Sequence, residues 1–232
     1  KLADGTYAYS KLAPYSPVQY ATSKLSGTDA SLKQLVVAML NYGAAAQIHF
    51  EHNTSALANA SLTAAQKALP AAYNSSMVSS VPAAPAAKQG SFANNSGFAK
   101  RYPSISFEGA FCINYFFSPN YTPVDGITLY YWNEADFTAA QVLTAENASG
   151  SMELVIEDGL YRGDIVGIAA KDLSGAVYVA AVYSDGTTVW TSGVLGYSIG
   201  AYCASQSTKG GTIADLAMAT AVYGYHAKAF FA

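Results

Sequence analysis

The chain has 232 residues, of which 51% are hydrophobic and only 12% charged, about half the usual charged share. This composition excludes a disordered chain, and the length allows one large domain or two small ones. The net charge of −3 offers no basic field for nucleic acid, and no apolar run reaches the roughly 18–20 residues that cross a bilayer.

The polar composition is typical of an exported protein. The 18 tyrosines stand beside many uncharged polar residues, which keep β-rich modules soluble without charge, so we expect a secreted, cell-surface protein. The first residues, KLADGTYAYS, carry no signal-peptide pattern, and we expect them to begin a piece of a longer chain. The two cysteines, Cys112 and Cys203, could form one bridge, although two small buried thiols are the more usual outcome.

The first fifty residues predict a β-hairpin followed by two helices. The hairpin is indicated by Asp4-Gly5 between alternating apolar residues, since a type I′ turn needs positive φ at both central positions. Ser16 predicts the N-cap of a first helix, and Thr28 or Asp29 the cap of a longer one. The apolar residues of the longer helix recur at three- and four-residue spacing: Leu32, Leu35, Val36, Met39 and Leu40.

The middle of the chain changes from helix to loop to strands. Residues 53–76 predict a short amphipathic helix that ends near Pro70, and residues 77–100 a linker or long surface loop rich in Ser, Ala, Pro and Gly. From Ser104 the hydrophobic period changes to two. Short apolar runs separated by turn residues then indicate an antiparallel, immunoglobulin-like β-sandwich over residues 101–200.

The end of the chain repeats the pattern of its beginning. The matching positions occur in the same order over about fifty residues: Asp4-Gly5-Thr6 with Asp185-Gly186-Thr187, Ser16 with Ser198, Tyr20 with Tyr202, and Tyr42-Gly43 with Tyr223-Gly224. A glycine inside a helix costs about 1 kcal/mol relative to alanine. Its presence at the same place in both copies suggests that the two long helices approach each other closely.

Together these elements predict an α+β protein: an antiparallel β-sandwich with two related helical hairpins that pack together as a pseudo-symmetric four-helix cluster. The expected organisation is a partial repeat of a β-hairpin plus helices, a linker, the sandwich, and a C-terminal helical segment that packs with the N-terminal helices. These parts span residues 1–76, 77–100, 101–200 and 201–232.

Two long stretches resemble a known group of proteins. GDIVGIAAKDLSGAVYVAAVYSDGTTVWTSGVLGYSIGAYC and LVVAMLNYGAAAQIHF are similar to a module that recurs in large secreted proteins of anaerobic gut Firmicutes. Such proteins often carry dockerins or other surface-attachment modules, as in Ruminococcus-type cellulosomes and amylosomes. The likeness covers most of residues 1–50 and 104–231. It implies an extracellular, surface-attached, multi-modular protein that adheres to glycans, and it brings no catalytic residues.

The search for catalytic and metal-binding motifs is mostly negative. No Gly-rich phosphate loop or CxxC pair occurs. His49 and His52 could offer two metal ligands, but no third is suggested nearby, so we expect solvated residues at a helix end. His226 is expected to be a packing residue. We therefore predict neither a metal nor a cofactor.

A glycosidase needs two carboxylates about 5–10 Å apart in a cleft. The acidic residues of the middle of the chain allow several such pairs, but most fall at turns, where acidic residues are common. They are Glu134, Asp136, Glu146, Glu153, Glu157, Asp158 and Asp164.

Aromatic residues offer a better candidate site. A sugar ring packs its C–H face on a flat aromatic side chain, while its hydroxyls bond to Asn, Asp, Gln and Glu side chains. The stretch LYYWNEADF has this composition at the end of a predicted strand, and the preceding loop could fold over the same edge. The predicted carbohydrate-binding residues are Trp132, Tyr131, Asn133, Glu134, Asp136 and Tyr121.

The same strand could instead be structural. Tyr130 and Trp132 share one of its faces and Leu129 and Tyr131 the other, so Trp132 could simply fill the core. Two apolar faces could also mean a strand covered by sheet on one side and helices on the other.

Three further aromatic or basic residues are weaker candidates for the site. Tyr161 and Arg162 stand in the turn EDGLYRGD. Trp190 has Tyr9 as its counterpart in the first repeat, and an aromatic residue in both copies is more typical of the scaffold.

The leading prediction is a non-catalytic extracellular carbohydrate-binding module whose partners are a polysaccharide or oligosaccharide and neighbouring modules of the same polypeptide. The resemblance to amylosome components implies an α-glucan such as starch or a malto-oligosaccharide. The second hypothesis is a structural or adhesive spacer without a small-molecule ligand, and the third a glycoside hydrolase. Exposure of Trp132 and Tyr121 around a shallow cleft would favour binding, and their burial would favour the spacer.

Overall fold

The computed structural model of the protein describes residue 3, residues 16–107 and residues 110–232. The predicted N-terminal hairpin, with its Asp4-Gly5 turn and Tyr9, lies outside these residues. Helices occupy both ends of the described chain and strands its middle, so the fold is α+β.

Seven α-helices form within the described residues. At each end an eight-residue helix is followed by a twenty-residue helix, and three short helices lie between these pairs. In chain order they are α1 (Pro17–Lys24), α2 (Ala30–His49), α3 (Ala64–Lys67), α4 (Ala86–Gln89), α5 (Glu134–Ala139), α6 (Ile199–Gln206) and α7 (Gly211–Phe230).

Side-chain caps begin α1, α2 and α6 at positions that the sequence predicts. Ser16, Asp29 and Ser198 each accept a hydrogen bond from the backbone N–H three residues later, at 3.1, 3.0 and 2.9 Å. Of the two alternatives for α2, the cap is Asp29. Helix α7 differs, because it follows Gly210, which has a φ of 77° and no side chain to cap it.

The predicted helix within residues 53–76 shortens to the single turn of α3. Thr63 starts that turn with a capping box: its hydroxyl accepts from the Gln66 backbone N–H at 3.2 Å, and the Gln66 side chain accepts from the Thr63 N–H at 2.8 Å. A strong cap at Thr63 therefore fixes the start of helix late in the segment, and Pro70 lies three residues beyond its end.

The strands form two antiparallel sheets. Among the described residues the first sheet has the order β1-β2-β6-β5, and the second has the order β4-β3-β7-β8 with β9 also paired to β7. The strands are β1 (Phe98–Ser106), β2 (Phe111–Pro119), β3 (Thr128–Asn133), β4 (Gly150–Glu153), β5 (Val155–Glu157), β6 (Leu160–Ile168), β7 (Val177–Ser184), β8 (Val189–Thr191) and β9 (Leu195–Tyr197).

Alternate residues of facing strands fill the space between the sheets. Ile113, Tyr115 and Phe117 of β2 pack with Leu129 of β3 and Val179 of β7, and all five side chains are fully buried. The period of two in the sequence thus marks the buried faces of the strands.

The segment expected to be a linker packs on the second sheet. Ala84 and Phe92 are buried against Trp132 and Tyr178 on the sheet face that points away from the first sheet. The ring centroids of Phe92 and Trp132 lie 5.1 Å apart. The segment buries single apolar residues from short turns, not one continuous face of a helix or strand. Its sequence therefore shows no hydrophobic period.

Strand β3 is consequently covered on both sides. Leu129 points into the space between the sheets, and Trp132 points into the cluster formed with Phe92 and Phe137. This is the arrangement in which one strand carries two apolar faces, sheet on one side and helical turns on the other.

The long helices α2 and α7 pack on each other and on the end of the sandwich. The rings of Tyr42 and Tyr223 stack with their centroids 5.6 Å apart and their planes 20° apart. Tyr42 also lies 5.4 Å from Phe111 at the start of β2. Burial raises the pKa of the Tyr42 hydroxyl to about 12, so it stays protonated in this contact.

The repeated glycines admit loops rather than the partner helix. A Cβ atom at Gly43 would lie 3.1 Å from the Cβ of Ala58, and one at Gly224 would lie 3.0 Å from Leu173. Each glycine therefore lets a neighbouring connection approach the helix backbone, which corrects the expectation of a glycine-mediated helix–helix contact.

Both cysteines are free and buried, so the alternative of two small buried thiols is the one observed. Cys112 lies on β2 and Cys203 on α6. Burial raises the pKa of the Cys203 thiol to about 12, which keeps it uncharged in the core.

Replacing Trp132 by Ala should lower the free energy of unfolding by about 3–5 kcal/mol, because it leaves a cavity between β3 and the segment above it. It also removes the hydrogen bond from the indole Nε1–H to Asn147 Oδ1 at 2.9 Å. Urea denaturation followed by circular dichroism measures the change. Tyr102→Ala, which removes a 43% exposed ring, is the control and should cost less than about 1 kcal/mol. Equal losses in the two variants would contradict the core position of Trp132.

Candidate functional site

A cleft opens at one end of the sandwich, where three connections meet. They are the end of β2 with its following loop (residues 118–123), the turn between β5 and β6, and the loop between β7 and β8. The cavity has a volume of about 790 Å³. We call it the Tyr121 cleft, and it is lined by Ser118, Pro119, Asn120, Tyr121, Thr122, Pro123, Gly159, Tyr161, Asp185 and Thr187.

The turn between β5 and β6 is a two-residue hairpin. Glu157 pairs with Leu160, and the two residues between them, Asp158 and Gly159, have φ values of 50° and 77°. Positive φ at both central positions is the type I′ geometry, and Asp-Gly is one of the sequences that adopt it. A Cβ atom at Gly159 would meet no described atom within 4 Å, so the turn is open to solvent at this side of the cleft.

The Asp185-Gly186 pair opens a longer loop than a type I′ turn would give. Ser184 pairs with Val189, which leaves the four residues 185–188 in the loop, and only Gly186 has a positive φ, of 90°. Asp185 Oδ1 accepts hydrogen bonds from the backbone N–H groups two and three residues further on, at 2.9 and 2.8 Å. These hydrogen bonds to the Asp185 side chain hold the loop, so the hairpin forms without the type I′ turn that the sequence predicts.

Tyr121 lies on a rigid support. Its ring stacks on Trp190 with the centroids 4.5 Å and the planes 20° apart, and the residue remains 49% exposed. The Trp190 Nε1–H donates to Asp185 Oδ2 at 2.8 Å. Behind Trp190, a Cβ atom at Gly97 would lie 2.5 Å from the Trp190 Cβ, so only glycine fits there. Trp190 therefore supports Tyr121 from behind.

Hydrogen bonds of backbone and side-chain groups fix the loop that carries Tyr121. The Asn120 N–H donates to the Gly97 carbonyl at 2.9 Å, and its side-chain amide donates to the Ser96 carbonyl at 2.7 Å. The Tyr121 N–H donates to the Tyr183 hydroxyl at 3.1 Å, which in turn donates to the Gly97 carbonyl at 2.7 Å. A loop held in this way loses little conformational freedom when a ligand binds.

The cleft carries a negative charge. The indole N–H of Trp190, followed by the backbone N–H groups of Thr188 and Thr187, lowers the pKa of Asp185 below its ordinary value. The carboxylate is therefore ionised at neutral pH and is held against the support of Tyr121.

The residues predicted around Trp132 form a capping network instead. Asn133 Oδ1 accepts from the Asp136 N–H at 2.9 Å and caps α5, while the Asn133 side-chain amide donates to Asp136 Oδ2 at 2.8 Å. The Ser149 hydroxyl donates to the same carboxylate oxygen at 2.5 Å. Trp132 itself is fully buried, so no ligand can stack on its ring. This placement corrects the expectation of an exposed tryptophan at the strand end.

Tyr131 packs over the neighbouring strand. A Cβ atom at Gly150 would lie 2.5 Å from the Tyr131 hydroxyl oxygen, so the tyrosine ring covers the space that the glycine leaves open. Half-buried against the core between the sheets, Tyr131 is part of the scaffold.

Glu134 lies at the rim of a second cavity, of about 910 Å³, between α5 and the end of β6. Asp172 supplies a second carboxylate there, and Glu134 Oε2 accepts from the Ala176 N–H at 3.4 Å. Among the described residues no aromatic side chain lines this cavity. It therefore has no flat ring on which a sugar could stack.

Tyr161 and Arg162 point to opposite faces of the first sheet, as neighbours in a strand do. Tyr161 lines the Tyr121 cleft. Arg162 lies on the outer face, where it forms salt bridges with Glu157 and, at 2.7 Å, with Asp164.

Two of the three histidines, His49 and His226, have structural partners. His226 is buried, its Nε2 accepts from the Ala71 N–H at 3.1 Å, and burial lowers its pKa. This confirms a packing role. His49 Nδ1 lies 3.0 Å from the Thr212 hydroxyl and ties α2 to α7, while His52 is exposed. Within residues 16–107 and 110–232, no group of three or more His, Cys, Asp or Glu residues is placed to hold a metal ion.

None of the helices in the described part of the chain combines the length and apolarity that crossing a membrane requires.

Lowering the pH should loosen the support of Tyr121. The pKa of Asp185 is lower in the folded protein than its ordinary value of 3.8. The ionised carboxylate therefore stabilises the fold above pH 3.8, and this stabilisation is lost as the pH falls through the lowered pKa of the folded protein. The NMR shift of the Trp190 indole N–H, assigned by its absence in Trp190→Phe, reports the titration. In Asp185→Asn the shift should show no such step. A midpoint at or above 3.8 would contradict the described contacts.

Neither a family model nor a curated protein matches the chain. The chain is similar to a solved structure described as "Crystal structure of Br derivative BhCBM56", with 12% identity over 42% of this chain and 90% of that one, and with a TM-score of 0.29. A likeness of this size carries no argument about the ligand, so the functional conclusion depends on the geometry of the cleft.

Proposed function

We propose that the Tyr121 cleft binds carbohydrate and that the protein is a non-catalytic extracellular carbohydrate-binding module. One observation carries the proposal: a half-exposed tyrosine ring, fixed by stacking on Trp190, opens into a cleft with polar walls. A sugar ring needs such a fixed, flat apolar surface beside hydrogen-bonding groups.

The walls supply the hydrogen-bonding groups. Asn120 offers an amide oxygen, Thr187 a hydroxyl and Asp185 a carboxylate, and all three line the same cleft as the Tyr121 ring. Tyr161 adds a second aromatic side chain with a polar tip. The volume of about 790 Å³ falls in the usual range of small-molecule sites, about 300–1,000 Å³.

Two features reduce the cost of binding. The backbone of residues 120 and 121 is already hydrogen-bonded to Gly97 and Tyr183. The tyrosine ring is already held by Trp190, so neither the loop nor the side chain has to be ordered by the ligand.

For the ligand we propose an α-glucan, starch or malto-oligosaccharide, within a multi-modular, surface-attached protein of the type found in gut Firmicutes. The support for this specificity is the sequence resemblance to amylosome components. The cleft itself favours a neutral sugar, because Asp185 would repel an acidic one.

We further propose that the two helix pairs are copies of one helical hairpin beside an immunoglobulin-like sandwich. In each pair an eight-residue helix capped by serine, Ser16 or Ser198, precedes a twenty-residue helix. The equivalent tyrosines Tyr42 and Tyr223 stack on each other where the long helices meet.

The second candidate function is the structural spacer, and the burial of Trp132 favours it. The exposure of Tyr121 favours binding. Trp132 thus favours the spacer and Tyr121 favours binding, and a binding measurement decides between the two functions.

Tyr121→Ala should weaken oligosaccharide binding at least about tenfold, because it removes the proposed stacking surface and a loss of about 1.4 kcal/mol is tenfold in affinity. Isothermal titration with malto- and cello-oligosaccharides, with pull-down on insoluble starch and cellulose, measures the effect. Tyr225→Ala is the matched control, since Tyr225 is 47% exposed but lies on α7, and it should bind like the wild type.

The outcomes separate the hypotheses. Binding that survives Tyr121→Ala in a protein whose circular dichroism is unchanged would keep a glycan ligand but exclude the cleft as its site. No binding by the wild type to any of the glycans would make the spacer the better conclusion.

A further inference from the structure

The outer face of the first sheet carries an aromatic row. Tyr102 of β1 pairs with Phe116 of β2, and Phe116 pairs with Arg162 of β6, so the three side chains lie side by side on one face. The rings of Tyr102 and Phe116 stack with their centroids 5.3 Å and their planes 19° apart. The Arg162 guanidinium lies over the Phe116 ring, 5.7 Å from its centroid. We call these three residues the Tyr102 platform.

Arg162 is fixed in its position on the platform. Its Nε–H donates to Asp164 Oδ1 at 2.7 Å, its Nη1 pairs with Glu157, and its Nη2 donates to Asn114 Oδ1 at 3.3 Å. Asn114 is only 5% exposed, so it anchors the guanidinium from below. A guanidinium has five N–H donors, and these contacts use three of them. The other two have no partner among the described residues and can meet ligand hydroxyls at the edge of the aromatic surface.

The platform is continuous with the Tyr121 cleft. Ser118, which lines the cleft, lies two residues after Phe116 on β2. A strand rises about 3.3 Å per residue, so the cleft begins close to the platform. On the other side, Arg162 and the cleft residue Gly159 belong to the same β5–β6 hairpin. A ligand in the cleft therefore has an aromatic surface immediately beside it, along the outer face of the sheet.

Counting only residues that the structure describes, the charges around these surfaces are mostly negative. Asp185 lies in the cleft and Asp158 in the turn beside it, while Glu157 and Asp164 flank the platform. Against these four carboxylates stand Arg162, which is already paired with two of them, and Lys100 opposite Ser118. An acidic polysaccharide would be repelled, and a neutral one would not.

We propose that the Tyr102 platform is a second subsite for the same glycan, so that the protein recognises several consecutive units of a neutral polysaccharide chain rather than a single terminal sugar. This inference rests on the proposed function of the Tyr121 cleft. One unit stacks on Tyr121, and later units of the chain pack on the exposed part of Tyr102 and along the edge of Phe116, whose two faces are covered by Tyr102 and Arg162. Their hydroxyls accept hydrogen bonds from Arg162.

The test is the dependence of affinity on chain length. Malto- and cello-oligosaccharides from the disaccharide to the heptasaccharide are titrated into the wild type, Tyr102→Ala, Tyr121→Ala and the control Tyr225→Ala. For the wild type, the affinity for the series that binds should rise at least tenfold with length. Tyr102→Ala should bind the disaccharide like the wild type but lose most of that rise, and Tyr121→Ala should weaken binding at every length.

Arg162→Gln gives an independent check, since it keeps a hydrogen-bond donor but removes the guanidinium. It should lose affinity only for the longer oligosaccharides. Tyr102→Ala that matches the wild type at every length would overturn the second subsite while leaving the cleft intact.

Two further outcomes separate this inference from the function on which it rests. Oligogalacturonides that bind as tightly as neutral oligosaccharides would overturn the preference for a neutral chain. A wild type that binds none of the oligosaccharides would overturn the proposed function, and the second subsite with it.

Discussion

The contact between Tyr121 and Trp190 closes one end of the sandwich and depends on three distant parts of the chain. Trp190 belongs to the second sheet, Tyr121 follows a strand of the first, and Gly97 precedes the strand at that sheet's edge. Asp185 holds the indole from the side through a hydrogen bond of 2.8 Å. The same contact that joins the two sheets also presents an exposed aromatic ring, so the architecture and the candidate site share their residues.

Strand β3 has both faces covered. One face packs against the first sheet. The cover on the other side comes from a segment without regular period, which contributes Ala84 and Phe92. A tryptophan at the end of such a strand is therefore a core residue, even though polar residues follow it.

Local signals were readable from the sequence, and most contacts between distant segments were not, with the packing of α2 on α7 as the exception that the repeat suggests. Ser16, Asp29 and Ser198 cap helices because a cap needs only the next three residues. Asn133 with Asp136 three residues later is a cap of the same kind, and it indicates α5 rather than a sugar site. The stacking of Tyr121 on Trp190 and the burial of Trp132 under Phe92 join residues far apart in the chain, and no local pattern specifies them.

The ion pairs orient Arg162 more than they stabilise the fold. Within residues 16–107 and 110–232, the salt bridges are those of Arg162 with Glu157 and Asp164, on the outer face of the first sheet. Such partly exposed pairs contribute only about 0–1 kcal/mol to folding, so stability alone gives little reason for two of them at one residue. Their clearer physical effect is to hold a guanidinium in one orientation beside the aromatic rings of Tyr102 and Phe116, with donors left for a ligand.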